Sequence, residues 1–461
     1  MNNNTKTLKG RYWYFVDNLQ TDDGAAASIR LYFALPVDHP GQKLTGLKIY
    51  PEPYTLIEDL PNGNRILVWE KAPGKNITSL TFYYDFVVEY GEVNSPVDPL
   101  KVIPADISSI EYQRYTISEG WLDITAEIVK RAKEIVGEEK NPYRAAKNIF
   151  TWVVKNMSYE YPDTTSRGAS KSIASLKGDC AEFSAVFISL CRASGIPARP
   201  VTCNWIKGGG HQWAEIFLPP YGWVPVDPTA ANIFDRDPAG EQARKMADVA
   251  DIKTNDPGWF FGNLYPERLM VLVGENIKVR LSQDATERVF YLLQPGGSAA
   301  HPSAAEFSGF SSQPIHGGSY VFGDKREDEI YARGITQAEL AESYFKAKLY
   351  DKAEAGLAVA LKEKPKAAYR WLLLGQVYMA QGKYLPALEA FTSAIAGDGG
   401  SLKPVWAARA HFYSGNCLDM LGKRIPAAEE YRAVLASGVS FENLQERATK
   451  HLAKPCTKAD L

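Results

Sequence analysis

The chain has 461 residues, more than one hydrophobic core accommodates, and its 45% hydrophobic and 23% charged residues are the composition of a folded protein rather than a disordered one. A formal net charge of -2 excludes a general electrostatic attraction for nucleic acid or anionic membranes, and no apolar run approaches the roughly 18 residues that span a bilayer. Five cysteines at irregular spacing (Cys180, Cys191, Cys203, Cys417, Cys456) argue against a disulfide framework. Without a CxxC or HExxH pattern, no metal or other cofactor is expected. The opening MNNNTKTLKGRYWYF lacks the apolar centre of a signal peptide. The expected compartment is the cytoplasm if Met1 is the native start, and the periplasm or exterior if a signal peptide has been removed.

From residue 10 to about 112, aromatic and β-branched runs such as RYWYFV, SIRLYFALP, NRILVWE and SLTFYYDFVVEY alternate with turn formers. Asn62-Gly63 has the makings of a two-residue hairpin turn. This pattern predicts an N-terminal antiparallel β-sandwich over residues 1–112.

Near residue 118 the period lengthens. Trp121, Ile124, Ile128, Ala132 and Ile135 recur at helical spacing and Gly137 ends the segment. NPYRAAKNIFTWVVKNM predicts a second helix, with Asn141 as cap and Pro142 in its first turn. A third runs from Cys180, burying Phe183, Val186, Phe187 and Leu190 and stopping at Gly195 and Pro197. Strands follow in ARPVTCNWI, HQWAEIFL, GWVPVD, ERLMVLVGENIKVRL and RVFYLLQ, so residues 113–295 read as an α+β unit. Residues 296–330, rich in Gly, Ser, Ala and Pro, read as a linker.

Residues 331–461 repeat. In WLLLGQVYMAQGKYLPALEAFTSAI, the positions Trp371, Leu374, Gly375, Tyr378, Ala387, Phe391 and Ala394 match the tetratricopeptide (TPR) pattern. An earlier copy holds Leu340, Ala341, Tyr344, Ala353, Leu357, Ala360 and Pro365. A later, longer-spaced copy holds Gly415, Leu418, Ala427, Tyr431 and Val434. About three α-helical TPR repeats are expected, each burying its face on the next.

One constellation can carry chemistry. Cys180 stands at a helix start, where free N–H groups favour a thiolate. Of six histidines, His211 alone lies in the same α+β unit. The strand it begins turns over at PPYG and returns to Asp227, a carboxylate suited to fix an imidazole tautomer. A two-residue turn at Pro220-Tyr221 would put His211 and Asp227 on opposite faces. An odd loop length or a bulge would restore them to one face.

GDCAEFSAVFISLCRASGIPAR followed by HQWAEIFLPPYGWVPVDPT resembles the core of the transglutaminase-like superfamily, whose papain-like Cys, His and Asp lie on a helix and two strands. The resemblance covers about residues 115 to 290. It implies Cys180 as nucleophile, His211 as general base and acid, and Asp227 as orienting carboxylate. It further implies acyl transfer through a thioester on a protein or peptide substrate, with hydrolysis favoured slightly over crosslinking. Bacterial members often carry a β-sandwich before this core. No glutamine precedes Cys180 to complete an oxyanion hole, and Tyr159, Tyr161 and Trp213 are candidates for that place.

Cys191, Cys203 and Cys417 read as buried packing and Cys456 as a tail thiol. Trp213, Trp223 and Tyr221 could line an acyl-donor cleft, but core packing is the stronger expectation. The alternative to an enzyme is an interaction protein whose TPR array recruits a protein partner, with the middle unit as a binding module.

Overall fold

The computed structural model describes residues 5–21, 27–59, 62–72, 77–160, 167–275, 277–280, 287–290, 303–312, 314–323, 337–397, 404–439 and 443–460. The period-two runs near the N-terminus build two four-stranded sheets. One has the order Ile315–Gly323, Lys6–Asp17, Ser79–Tyr90, Gln42–Tyr50; the other has Ser303–Ser308, Ser28–Ala34, Asn64–Lys71, Thr55–Asp59. Every pairing is antiparallel. Alternate side chains meet between the sheets, where Tyr12, Tyr14, Phe33, Trp69, Phe82 and Phe86 form an aromatic core. Phe33 packs edge-on to Tyr14 at 4.7 Å and to Trp69 at 5.3 Å.

The segment expected as a linker therefore corrects the sequence reading. Within residues 296–330, Ser303–Ser308 and Ile315–Gly323 are edge strands of the two sheets, so the sandwich extends beyond residues 1–112. Glycine disguised this. Gly318 pairs with Tyr14, and a Cβ there would lie 2.2 Å from the Tyr12 hydroxyl, so the strand must be bare where it crosses that ring. The expected hairpin at Asn62-Gly63 pairs Asp59 with Asn64, a longer connection than two residues.

In the α+β unit, a sheet of order Gly222–Val226, Gly210–Leu218, Ala198–Trp205, Arg268–Val273 is covered by the helices Ala126–Val136, Pro142–Asn156 and Cys180–Ala193. The first helix begins later than its periodicity predicts, because Thr125 caps it and Glu119 and Leu122 form a bridged turn ahead of it. Asn141 caps the second as expected, its side chain accepting from Arg144 N–H at 3.1 Å.

Strand Arg268–Val273 serves two cores. Leu269 and Val271 point into the sandwich, while Met270 and Val273 pack with Trp213 and Val201. Its outer edge is closed by sandwich side chains. The Gln42 amide accepts from Met270 N–H and donates to Met270 C=O, both at 2.8 Å. Asn64 does the same to Val273, at 2.9 and 2.7 Å.

The C-terminal region is helical: Gln337–Lys346, Tyr350–Glu363, Ala368–Ala380, Tyr384–Ala396, Pro404–Met420 and Arg424–Ala436 stack as successive hairpins, and Leu444–Ala453 closes the stack. The TPR-pattern residues Ala353, Leu357, Ala387, Phe391, Ala427 and Tyr431 are buried between helices. Phe15 of the sandwich joins the core of the first hairpin, and Tyr344 hydroxyl bonds Asp17.

Candidate active site

Cys180 is the first residue of the helix Cys180–Ala193. Asp179 caps it, accepting from Ala181 N–H at 2.8 Å, while Glu182 reaches back to Asp179 N–H at 3.2 Å, a reciprocal capping box. Gly178 is required by this fold-back, since a Cβ there would lie 2.2 Å from Glu182 Cβ. Arg167 bonds Asp179 and lies 3.6 Å from Glu182. Burial, then the Asp179 charge, push the Glu182 carboxyl up to about 8.

Ser184, one turn into the helix, ties it to the neighbouring strand: its hydroxyl lies 2.8 Å from Cys180 C=O and 3.2 Å from Gln212 C=O. Gln212 follows His211, so the hydroxyl fixes the thiol-bearing turn beside the histidine strand.

The return to Asp227 resolves by loop length. Leu218 pairs with Gly222, leaving three residues in the connection, and this odd number puts His211 and Asp227 on one face. His211 Nε2 lies 2.8 Å from Asp227 Oδ2, and both side chains are buried. Asp227 also caps the helix Pro228–Arg236, its Oδ1 accepting from Ala230 N–H at 2.9 Å. With Nε2 engaged on Asp227, Nδ1 is the other ring nitrogen of His211. The Trp205 indole lies against the imidazole with centroids 4.9 Å apart.

Tyr265 has no signature in the sequence. Its hydroxyl donates to Asp227 Oδ2 at 2.9 Å, the oxygen that also receives His211. Burial, reinforced by the Asp227 charge, holds its phenol far above the usual range.

Cys180 is partly exposed, yet burial raises its thiol well above the ordinary value; Asp179, Asp227 and Glu182 add to the rise, and Gln212 N–H opposes it. An isolated thiolate is therefore disfavoured here. A neighbouring base that takes the proton would favour one.

Other expected participants fall elsewhere. Trp213 is buried in the core with Met270 and Val273. Trp223 packs against Tyr115 and under the Arg199 guanidinium, and Tyr221 hydroxyl accepts from Asp98 N–H at 3.1 Å. Tyr159 sits on a short strand paired with Lys177–Gly178, which ends two residues before Cys180, and is 38% exposed. Tyr161 lies outside the described residues. Cys191, Cys203 and Cys417 are buried, and so is Cys456, which corrects its reading as a tail thiol.

Among the described residues, one group of metal-capable side chains draws together, His451, Cys456 and Asp460, with ligand atoms within 4.8 Å of one another. It lies at the far end of the helical stack. The Asp460 oxygens already accept from Lys450 and Thr457, and the group has no part in the Cys180 site.

Residues 129–228 match the transglutaminase-like superfamily. An uncharacterised protein of Haemophilus influenzae is 30% identical over 157 residues, 27% of this chain and 42% of that protein. Protein YebA of Bacillus subtilis, also uncharacterised, is 25% identical over 174 residues, 30% of this chain and 22% of its own length. The chain thus spans less than half the length of these curated relatives. Among solved structures, a candidate cysteine protease from Cytophaga hutchinsonii aligns with 70% of this chain and 93% of its own at 15% identity and a TM-score of 0.42. The first TPR of Spaghetti (RPAP3), solved with an HSP90 peptide, aligns with 26% of this chain and 86% of its own at 22% identity and a TM-score of 0.22.

Proposed function

From a chain whose residues 129–228 carry a transglutaminase-like core, we propose a cysteine-dependent acyl-transfer enzyme acting on carboxamide or peptide bonds of a protein or peptide substrate. The observation that carries this reading is the 2.8 Å contact of His211 Nε2 with Asp227, on the strand that Ser184 ties to the Cys180 turn.

Cys180 passes its proton to His211 Nδ1, and Asp227 sustains the imidazolium through Nε2–H. The thiolate attacks the carbonyl carbon, forming the C–S bond as the C=O π pair moves onto oxygen. The Cys180 N–H, at the first position of the helix, would donate to that oxyanion. Collapse breaks the C–N bond, and His211 gives its proton to the leaving nitrogen. The thioester is then cleaved by water or an amine, deprotonated by the same imidazole, which returns the thiol. Hydrolysis is the favoured outcome, with transamidation where an amine reaches the site first. The helical repeats would recruit the protein that supplies the acyl group.

The test is to incubate the protein with glutamine-containing and plain peptides, with and without a primary amine, and to follow ammonia release, cleavage and amine incorporation by mass spectrometry. Trapping of a thioester on Cys180 that Cys180→Ala abolishes is the expected result. Turnover that persists in Cys180→Ala, or iodoacetamide labelling of Cys180 no faster than that of buried Cys191, overturns it.

A further inference from the structure

We propose that Tyr265 is a positioning residue that sets the charge Asp227 presents to His211, an inference that rests on the acyl-transfer reading above. Three donors converge on the Asp227 carboxylate. Ala230 N–H holds Oδ1 at 2.9 Å, while His211 Nε2 and the Tyr265 hydroxyl share Oδ2 at 2.8 and 2.9 Å. Two donors on one oxygen compete for its negative charge. The phenol therefore weakens the hold of Asp227 on an imidazolium while fixing the carboxylate rotamer that aims His211.

The phenol is itself anchored. Tyr265 C=O accepts from Arg268, whose guanidinium also donates to Gly91 C=O of the sandwich at 3.2 Å. The ring stands edge-on to Trp205, which covers His211. The hydroxyl donates its proton to the carboxylate the mechanism uses. Burial and the Asp227 charge favour its protonated, donating form. The other titratable groups facing the pair are Cys180 with Asp179 and Glu182 at the helix start, Cys203 on the adjoining strand, and Arg268 behind Tyr265.

The balance has a sign. Removing the phenol oxygen concentrates charge on Oδ2, which stabilises the imidazolium and widens the pH range of the thiolate–imidazolium pair. A stronger donor of the same shape narrows it. Iodoacetate reads this range without a known substrate, because its negative charge makes it react preferentially with the ion pair, giving a rate that rises on the acid limb and falls on the alkaline limb.

The experiment measures Cys180 alkylation by iodoacetate against pH in the full chain, in wild type, Tyr265→Phe, and a chain carrying 3-fluorotyrosine at position 265. Wild type is expected to give a bell. Tyr265→Phe should move the alkaline limb up by about half a pH unit or more, and the fluorinated chain should move it down. Superimposable profiles, or shifts of one sign in both, overturn the role of Tyr265 and leave the enzyme reading standing. A wild-type profile without a bell removes the ion pair and overturns both. Circular dichroism checks folding, and if Tyr265→Phe does not fold, the fluorinated chain decides alone by the direction of its shift.

Discussion

The side-chain amide of Gln42 takes both backbone hydrogen bonds of Met270, as a neighbouring strand would. Gln42 belongs to the sandwich and Met270 to the sheet that holds His211, so the two units meet through satisfied backbone rather than through a loose surface. Gln42→Leu strips the buried Met270 N–H of its acceptor and takes one of two donors from its C=O, which keeps Val37 N–H at 3.2 Å. It should cost about 2–4 kcal/mol, read as a lowered urea midpoint in a single transition, with Asn64→Leu behaving alike at Val273. Two separate transitions in the wild type would contradict a shared core.

A second outcome concerns the thiol. In His211→Ala no imidazole accepts the Cys180 proton, and burial together with the Asp179, Asp227 and Glu182 charges keeps the thiol above its ordinary value of 9.0. Iodoacetamide labelling of Cys180 in this variant should therefore fall at least tenfold at pH 7 and recover only above pH 9. Unchanged labelling at pH 7 would show that the histidine does not activate the thiol.

Glu275 gives a stability test. Burial, opposed by its bond from Trp121 N–H and aided by the Glu119 charge, raises its carboxyl from 4.5 to about 7. The folded state thus binds this proton more tightly than the unfolded state. Its stabilising effect is complete below about pH 4.5 and is lost as pH rises through 7. Glu275→Gln keeps the acceptor for Trp121 and removes the charge, so above pH 7 it should exceed wild type by roughly 3 kcal/mol, and match it near pH 4.5. Urea unfolding at the two pH values measures the difference; a constant offset would refute it.

The buried carboxylate of Glu215 has the opposite sign. It lies 2.8 Å from His39 Nε2 of the sandwich and 2.9 Å from Arg199, and these two partners hold it down to about 2 against the upward push of burial. Its contribution is present above the ordinary 4.5 and is lost as pH falls towards 2. Glu215→Ala leaves the Arg199 charge buried and should destabilise by about 3–5 kcal/mol at pH 7, seen as a lowered Tm, with a smaller deficit near pH 3.

Truncation tests the domain boundaries. A chain ending at residue 330 keeps both edge strands of the sandwich and should remain soluble with Cys180 reactive. One ending at residue 295 exposes the edges of Lys6–Asp17 and Ser28–Ala34 and should aggregate. Size-exclusion chromatography distinguishes them.

Local chemistry is what the sequence makes legible. The Cys180 helix start is written in Gly178, Asp179 and Glu182, residues that clear, cap and close one turn. The repeats are legible because small residues recur where helices touch. The face shared by His211 and Asp227 depends on one residue of loop length, and a pattern leaves that open. Tyr265 is silent for a different reason: it reaches Asp227 across 38 residues of chain, and nothing beside it advertises a partner. Gln42 and Asn64 look like turn residues because amides that imitate backbone have no period. The strand at 315–323 escapes because the glycine that Tyr12 demands at 318 interrupts its alternation.

The pairing of Tyr14 with Gly318 also orders events during synthesis. A ribosome adds about 5–20 residues per second. The N-terminal strands therefore wait some 15–60 s for their edge partners while the entire Cys180 unit emerges between them. That unit can gather its own helices and sheet in the interval. The nascent sandwich cannot complete its sheets, and its aromatic strands are the surface a chaperone would need to shield until residue 323 leaves the tunnel.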